Sequence, residues 1–353
     1  MGTAKLLEKL ELSDLAGQVL CYDIYDKDDP AEVEKVLSEI RPGALYLDNM
    51  SYEKIKMYTD MANKYTKIPV AIVTDVEYGP GDRVRLAMKL KVMNFNICCG
   101  DDPGGNTVAE RAPRVERIIE KYDPDIIGLQ EYTPTWASLT AQMLGKSYEM
   151  FNRYRAKESL ESTPVLWKKD KFECLQKGYF WLSDTPDTES KGWDELFDCF
   201  RICEYAVLRE RNGGACFTHM NTHFGFGNKG QVSSSRLIYE RSKQISVFPT
   251  IVTGDFNMSS ETPGYREMTK YFTDVNAATV RNCDETFHNY GVDNEELSEI
   301  FPELNTKGRP VLHIDHCFVS KGAVPLEQHI IKDMPGGGFP SDHYALLSCI
   351  EIK

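Results

Sequence analysis

The chain has 353 residues, enough for one large domain or two, and its 41% apolar content is that of an ordinary soluble protein. Its formal net charge of −13, from 41 basic and 54 acidic residues, disfavours duplex nucleic acid, whose binding neutralises many phosphates. A local basic groove stays open, as does a small phosphorylated substrate, and no apolar run is long enough to span a bilayer.

The N-terminus (MGTAKLLEKLELSD) is charged and amphipathic and lacks the apolar core of a secretory signal. A cytoplasmic protein is expected unless a leader has been trimmed. From there residues 1–88 alternate strand and helix. Val19 to Ile24 is a short apolar run, and Pro30 starts a helix with apolar spacing at Val33, Val36, Leu37 and Ile40. Ala44 to Leu47 is the next strand, Tyr52 to Tyr65 is helical, and Ile68 to Thr74 is a third strand. This βαβαβ order predicts parallel strands. The passage Gly79 to Arg85 is the expected domain boundary.

Leu12-Ser13-Asp14 through Gly17-Gln18, Pro42-Gly43-Ala44, and Ile68-Pro69-Val70 leading to Thr74 through Gly81 resemble the start of the glycoside hydrolase family 3 barrel. The resemblance implies a sugar contact at Asp75. The chain leaves the pattern after roughly three βα units, whereas such a barrel has eight. As a turn residue, Asp75 equally reads as the cap of a strand end.

Residues 89–353 have another rhythm, of short apolar strands between polar loops. Leu90–Cys99, Ile126–Gln130, Pro164–Trp167, Ala206–Leu208, Ala215–Thr222, Thr250–Thr253, His313–Val319 and Ala345–Ile352 read as strands. Arg111–Tyr122 and Val232–Ser246 read as helices. Many strands with a few helices predict an α/β fold of two packed sheets with helices outside. The ten cysteines form no Cys-x-x-Cys pair and no regular framework. They read as buried thiols in a reducing compartment, without a structural zinc site.

The chemistry sits at strand ends. Asn96 lies in KVMNFNICC, Glu131 follows IIGLQ, His223 ends CFTHMNTH, and Asp255 and Asn257 end IVTGDFN. Asp315 lies in LHIDHCF, and Asp342-His343 precede the last strand. A carboxylate at the end of a buried strand costs desolvation energy unless it holds a metal or a proton in use. A hard cation such as Mg²⁺ takes oxygen ligands, which Glu131 with Asn96 nearby can supply. Phosphoryl transfer needs a positioned water, an orienting group and cationic help. Asp255 can polarise the water, and Asn257 can hold it or a phosphate oxygen. His343 can bond the phosphoryl oxygen, with Asp315 fixing its tautomer and raising its pKa, and His223 supplies a second donor. A histidine-rich two-metal site is the alternative, but no His-x-His or His-Glu-x-x-His spacing is present.

Taken in order, Asn96, Gln130-Glu131, Thr222-His223, Gly254 through Asn257, Ile314-Asp315-His316 and Ser341-Asp342-His343 resemble the endonuclease/exonuclease/phosphatase superfamily. The resemblance implies a four-layer αββα sandwich of the deoxyribonuclease kind and Mg²⁺- or Mn²⁺-dependent cleavage of a phosphoester. It also implies Asp342 as a metal-proximal ligand. Phe180 through Pro186, Gly192-Trp193-Asp194 and Arg201 are similar to the bacterial branch nearest nocturnin-like deadenylases. Where that branch commonly carries Thr-Trp, Glu204-Tyr205 stand here. By analogy Glu204 orients His223 from the neighbouring strand; as a cross-strand residue it equally reads as facing solvent.

Arg114 and Arg236, in predicted helices, are candidate substrate contacts, and Trp181 is a candidate stacking platform. Glycines 225, 227 and 230 with Lys229 form a loop that would wrap a phosphate or simply flex. The acidic stretch Asn289 to Arg309 is expected to form a helical flap that repels an extended polyanion. The leading expectation is hydrolysis of a small or lipid-derived phosphoester. A nuclease of the same fold is the second, and a carbohydrate-binding protein with secondary hydrolase activity is the third. Oligomeric state is left open.

Overall fold

The computed structural model describes residues 21–25, 29–40, 44–48, 57–58, 60–61, 64, 88–211, 215–279, 284–291 and 312–353. The strand expected at 68–74, the family 3 motifs at 12–18 and 74–81 with Asp75, the boundary at 79–85 and most of the acidic stretch 289–309 lie outside these residues. The chain divides into two compact units, Met1–Leu86 with Gly213–Ala215, and Ala87–Asn212 with Cys216–Lys353.

In the first unit, β1 (Cys21–Tyr25), α1 (Pro30–Ile40) and β2 (Ala44–Asp48) follow one another, and the two strands pair in parallel with Cys21 opposite Ala44. Asp29 accepts the Ala31 N–H, satisfying a free donor of the helix start. Val33 and Leu37, one turn apart, are buried.

The second unit holds two six-stranded sheets. One is built from β3 (Met88–Asn96), β4 (Ile126–Gln130), β5 (Tyr148–Phe151), β6 (Val165–Lys168), β13 (Ala323–Ile331) and β14 (Ala345–Ile352), in the order β13-β14-β3-β4-β6-β5. The other contains β7 (Phe172–Trp181), β8 (Ile202–Glu210), β9 (Cys216–His223), β10 (Thr250–Asp255), β11 (Thr273–Asp274) and β12 (Asp315–Val319), in the order β11-β12-β10-β9-β8-β7. Helices α2 (Val108–Tyr122) and α3 (Pro134–Ser147) cover the first sheet. Val115, Ile118, Ile119 and Trp136 pack there on Met93, Phe95, Ile127 and Leu129. On the second sheet, α4 (Asn228–Ile245) and α5 (Pro263–Met268) bury Leu237, Ile238 and Met268 against Met220, Val252 and Phe318. A short α6 (Val275–Thr279) follows β11. This is the four-layer αββα sandwich expected from the sequence.

Strand periodicity explains how the layers join. Met93 and Phe95 face the helices, so Asn94 and Asn96 face the opposite sheet. Asn94 donates to the Gly254 carbonyl across the interface. Gln130 donates to both Asn94 and Asn221, and Asn221 donates to the carbonyls of Leu129 and Pro164. A buried amide network of this kind fixes the register of one sheet on the other, because a slipped sheet would leave its members unpaired. Gly128 makes room for it: a Cβ there would run into Thr253 and Asn221.

Cys98, Cys99, Cys174, Cys199, Cys203, Cys317 and Cys349 are free thiols. Among the described residues no helix is long and apolar enough to cross a membrane.

Candidate active site

Three of the expected residues form one row across the second sheet. Asp255, last in β10, is in register with His223 on the parallel strand β9 and with Asp315 on the antiparallel strand β12. Residues opposite one another share a face of the sheet, so all three side chains point to the first sheet. There Asn96 ends β3, opposite Gln130, and Glu131 follows directly. Ser341-Asp342-His343 enters from the turn before β14, where Ser341 donates to the Asn96 carbonyl.

The geometry is tight. Asn96 donates to Glu131 at 2.9 Å and to Asp255 at 3.0 Å, while its amide oxygen accepts the Cys98 N–H. Asn96 thus presents donors that position two carboxylates. Glu131 sits in the left-handed region at φ 60, which few non-glycine residues adopt, and its second oxygen accepts the Cys99 N–H. Burial raises its pKa, but these hydrogen bonds and the charge of His343 outweigh burial and hold it below the ordinary value.

Asp315 Oδ2 lies 2.8 Å from His343 Nδ1. Burial opposes charge on the imidazole, but Asp315 overrides it and lifts His343 up to about 10. His343 is thus a cation at neutral pH with Nε2 3.7 Å from Asp255. His223 is the opposite case. Burial and then Arg201, Arg155 and His343 push its pKa well below the ordinary value. The Arg155 guanidinium donates to its Nδ1 at 3.0 Å, so the proton of the neutral ring sits on Nε2, 3.5 Å from Asp255. Asp255 Oδ2 accepts the Asn96 amide, with the two imidazole Nε2 atoms 3.5 Å and 3.7 Å away, and Oδ1 accepts the Asn257 N–H. Burial and the charge of Asp315 still push it up to about 7. Asn257, at φ 48, spends its amide N–H on the Phe224 carbonyl.

Two residues that sequence reasoning missed complete the His223 environment. Arg155 is buried and ion-paired with Glu161, whose carboxylate lies 3.8 Å from His223 Nδ1. Both stand in a loop with no periodicity, so no local signal marks them. Glu204, read as orienting His223 or as facing solvent, does neither: it is buried, and its oxygens accept the backbone N–H groups of Arg153 and Thr163. In register Glu204 sits opposite Asn221, two residues short of His223, which leaves the orienting role to Arg155 and Glu161.

The remaining candidates for substrate contact lie in structural roles. Trp181 is buried and donates its indole N–H to the Arg155 carbonyl. Arg114 donates to the Phe339 carbonyl, pinning the turn before Ser341. Arg236 is paired with Glu267 between α4 and α5. The glycines of the loop after His223 make close approaches. A Cβ at Gly225 would meet Asp194, one at Gly227 would meet Glu195, and one at Gly230 would run into the Trp193 carbonyl. These glycines let the loop dock on residues 193–195.

Two groups suit a cation. Ligand atoms of Asp255, Asp315 and His343 all lie within 4.8 Å of one another. Yet Asp315 is spent on His343, so that cluster reads as a proton-handling relay. Glu131 and Asp342 form an all-oxygen set, with Asp342 Oδ1 taking the Ser341 hydroxyl. Burial pushes Asp342 up, His343 draws it down, and the charge of Glu131 raises it again. Two carboxylates, the charge of one raising the other, suit a hard divalent cation.

The sandwich gathers carboxylates, an amide and two histidines at one end of its paired sheets, groups of the kind that phosphoester hydrolysis uses. The profile of the Endonuclease/Exonuclease/phosphatase family matches residues 93–343, and the chain belongs to that family. A solved structure of a family member from Bacteroides thetaiotaomicron is 26% identical, with a TM-score of 0.65 over 76% of this chain and 99% of that one. The mannosyl-6-phosphatase of Bacteroides thetaiotaomicron is 26% identical, with a TM-score of 0.63 over 74% of this chain and 99% of its own. An uncharacterized protein of Acanthamoeba polyphaga mimivirus is 26% identical over a 199-residue alignment that covers 46% of this chain and 29% of that protein. This chain therefore spans under a third of that relative.

Proposed function

We propose that the chain hydrolyses the phosphoester of a small or lipid-derived alcohol, by attack of a water activated at Asp255. The observation that carries this is the convergence of the two histidine Nε2 atoms, 3.5 Å and 3.7 Å away, on Asp255 Oδ2. A carboxyl raised to about 7 is matched to taking a proton from water at neutral pH. Cationic His343 and neutral His223 each offer an N–H where phosphoryl charge develops. Glu131 and Asp342 are the residues to hold Mg²⁺ or Mn²⁺, which when bound polarises the phosphoryl oxygen. Asn96 keeps Glu131 and Asp255 in place. Net charge of −13 favours this reading over a nuclease.

The test is turnover of bis-p-nitrophenyl phosphate, small phosphomonoesters and oligonucleotides with Mg²⁺ or Mn²⁺, wild type against Asp255→Ala. Activity on the small esters that vanishes in the variant supports the proposal. Turnover of oligonucleotides alone would move the assignment to a nuclease.

A further inference from the structure

The turn after Trp193 carries two adjacent exposed apolar side chains, Leu196 at 53% and Phe197 at 59% exposure. This turn is tied down by hydrogen bonds at several points. Buried Asp194 accepts the N–H groups of both Leu196 and Phe197 on one oxygen. Its other oxygen takes Arg201 and the Cys199 thiol. The turn is joined to the segment after His223 by the Glu195 N–H on the Phe226 carbonyl and by the Glu195 carboxylate on the Gly230 N–H. Gly225 and Gly227 permit this approach, since a Cβ at either would collide with Asp194 or Glu195.

The result is an apolar corner linked to His343 by a run of packed side chains. Phe197 meets Phe226 edge to face, centroids 5.2 Å apart. Phe226 packs on the cluster of Phe287, Leu312 and Ile314. The Phe287 ring lies 4.9 Å from that of His343. Phe226 is also only three residues beyond His223, within roughly 10 Å along the chain.

We infer that Leu196, Phe197 and Phe226 form the subsite for the alcohol part of the substrate, and that this part carries a flat apolar ring. The inference rests on the phosphoesterase reading of the same site. An aromatic corner favours ring faces and edges through stacking and burial. It offers a sugar few acceptors, because both Asp194 oxygens and one Glu195 oxygen already take protein donors.

The experiment compares binding of 2-naphthylphosphonate, glucose 6-phosphate and methylphosphonate to the full chain with Mg²⁺ by calorimetry. The naphthyl ligand binds about tenfold more tightly than the other two, and Phe197→Ser or Leu196→Ser removes most of that preference while leaving methylphosphonate within about twofold. Equal binding of the three ligands, no binding of any, or a preference that survives both substitutions overturns the inference. So does a change of oligomeric state in Phe197→Ser by light scattering with the preference intact, which assigns the corner to contact between copies. Naphthyl preference without turnover of any phosphoester would leave the corner standing and sink the phosphoesterase reading.

Discussion

Asp315 and His343 lie 28 residues apart in sequence and 2.8 Å apart in space, both buried, with the carboxylate on Nδ1 of the ring. The pair fixes which nitrogen of His343 faces Asp255 and keeps the ring charged, so Asp315 acts on the reaction through His343 rather than by touching substrate.

Replacing Asp255 with Asn, or His343 with Gln, should lower kcat by about 10²–10⁴-fold, the usual range for losing a general base or a charged donor. Circular dichroism should stay native. Steady-state kinetics on a small phosphoester, with near-wild-type turnover in either variant, would refute these roles.

Arg155→Met should destabilise the fold by about 3–5 kcal/mol, since it leaves Glu161 without its charge partner in a largely buried setting. Glu204→Gln should leave catalysis and its pH profile unchanged, because Glu204 bonds backbone groups and not His223. Urea denaturation and a pH–rate series separate the two effects. A shifted profile in Glu204→Gln would restore it as the orienting group.

Glu131→Gln and Asp342→Asn should each raise the Mg²⁺ or Mn²⁺ concentration needed for half-maximal activity by about tenfold or more, with kcat at saturating metal less affected. An unchanged metal titration in both would place the cation elsewhere, with the Asp255, Asp315 and His343 cluster the next candidate.

Stability should fall between pH 7 and pH 5 through buried neutral histidines. Burial depresses His219 to about 3, and burial first, then His316, depresses His313 to about 4. The unfolded chain, with an ordinary value near 6.5, binds protons in this window that the fold refuses, so stability is lost as pH drops below that value. The loss is about 2 kcal/mol per histidine by pH 5. His219→Leu should flatten the curve in chemical denaturation followed against pH, and an unchanged slope would contradict the assignment.

Gly128→Ala should cost about 1–3 kcal/mol or more, as expected for overpacking, because the added Cβ meets Thr253 and Asn221 inside the amide network. Thermal melts read this directly. A neutral result would mean that the network tolerates a shift of the sheets.

Much of the framework was legible in the sequence. Apolar runs located β4 and β14 to the residue, and α2 and α4 to within a few. The strand-end residues Asn96, Glu131, His223, Asp255, Asp315 and His343 do meet at one end of the sheets. Less legible were α3, whose Pro-Thr-Trp start and Gly145 give weak helical periodicity, and β7, whose polar middle hides its alternation.

What the sequence determined by itself is eight of the twelve strands of the second unit and the residues at their ends, because burial periodicity and strand termination are local properties of the chain. Which partner each side chain meets was decided by the packing of one sheet on the other. Arg155 and Glu161 are recruited to His223 from an aperiodic loop, Glu204 is drawn to backbone donors two residues away from it, and Asn96 turns its amide nitrogen to the carboxylates. Hydrogen-bond roles and shifted pKa values arise from contacts between strands distant in sequence, and no local pattern encodes those contacts.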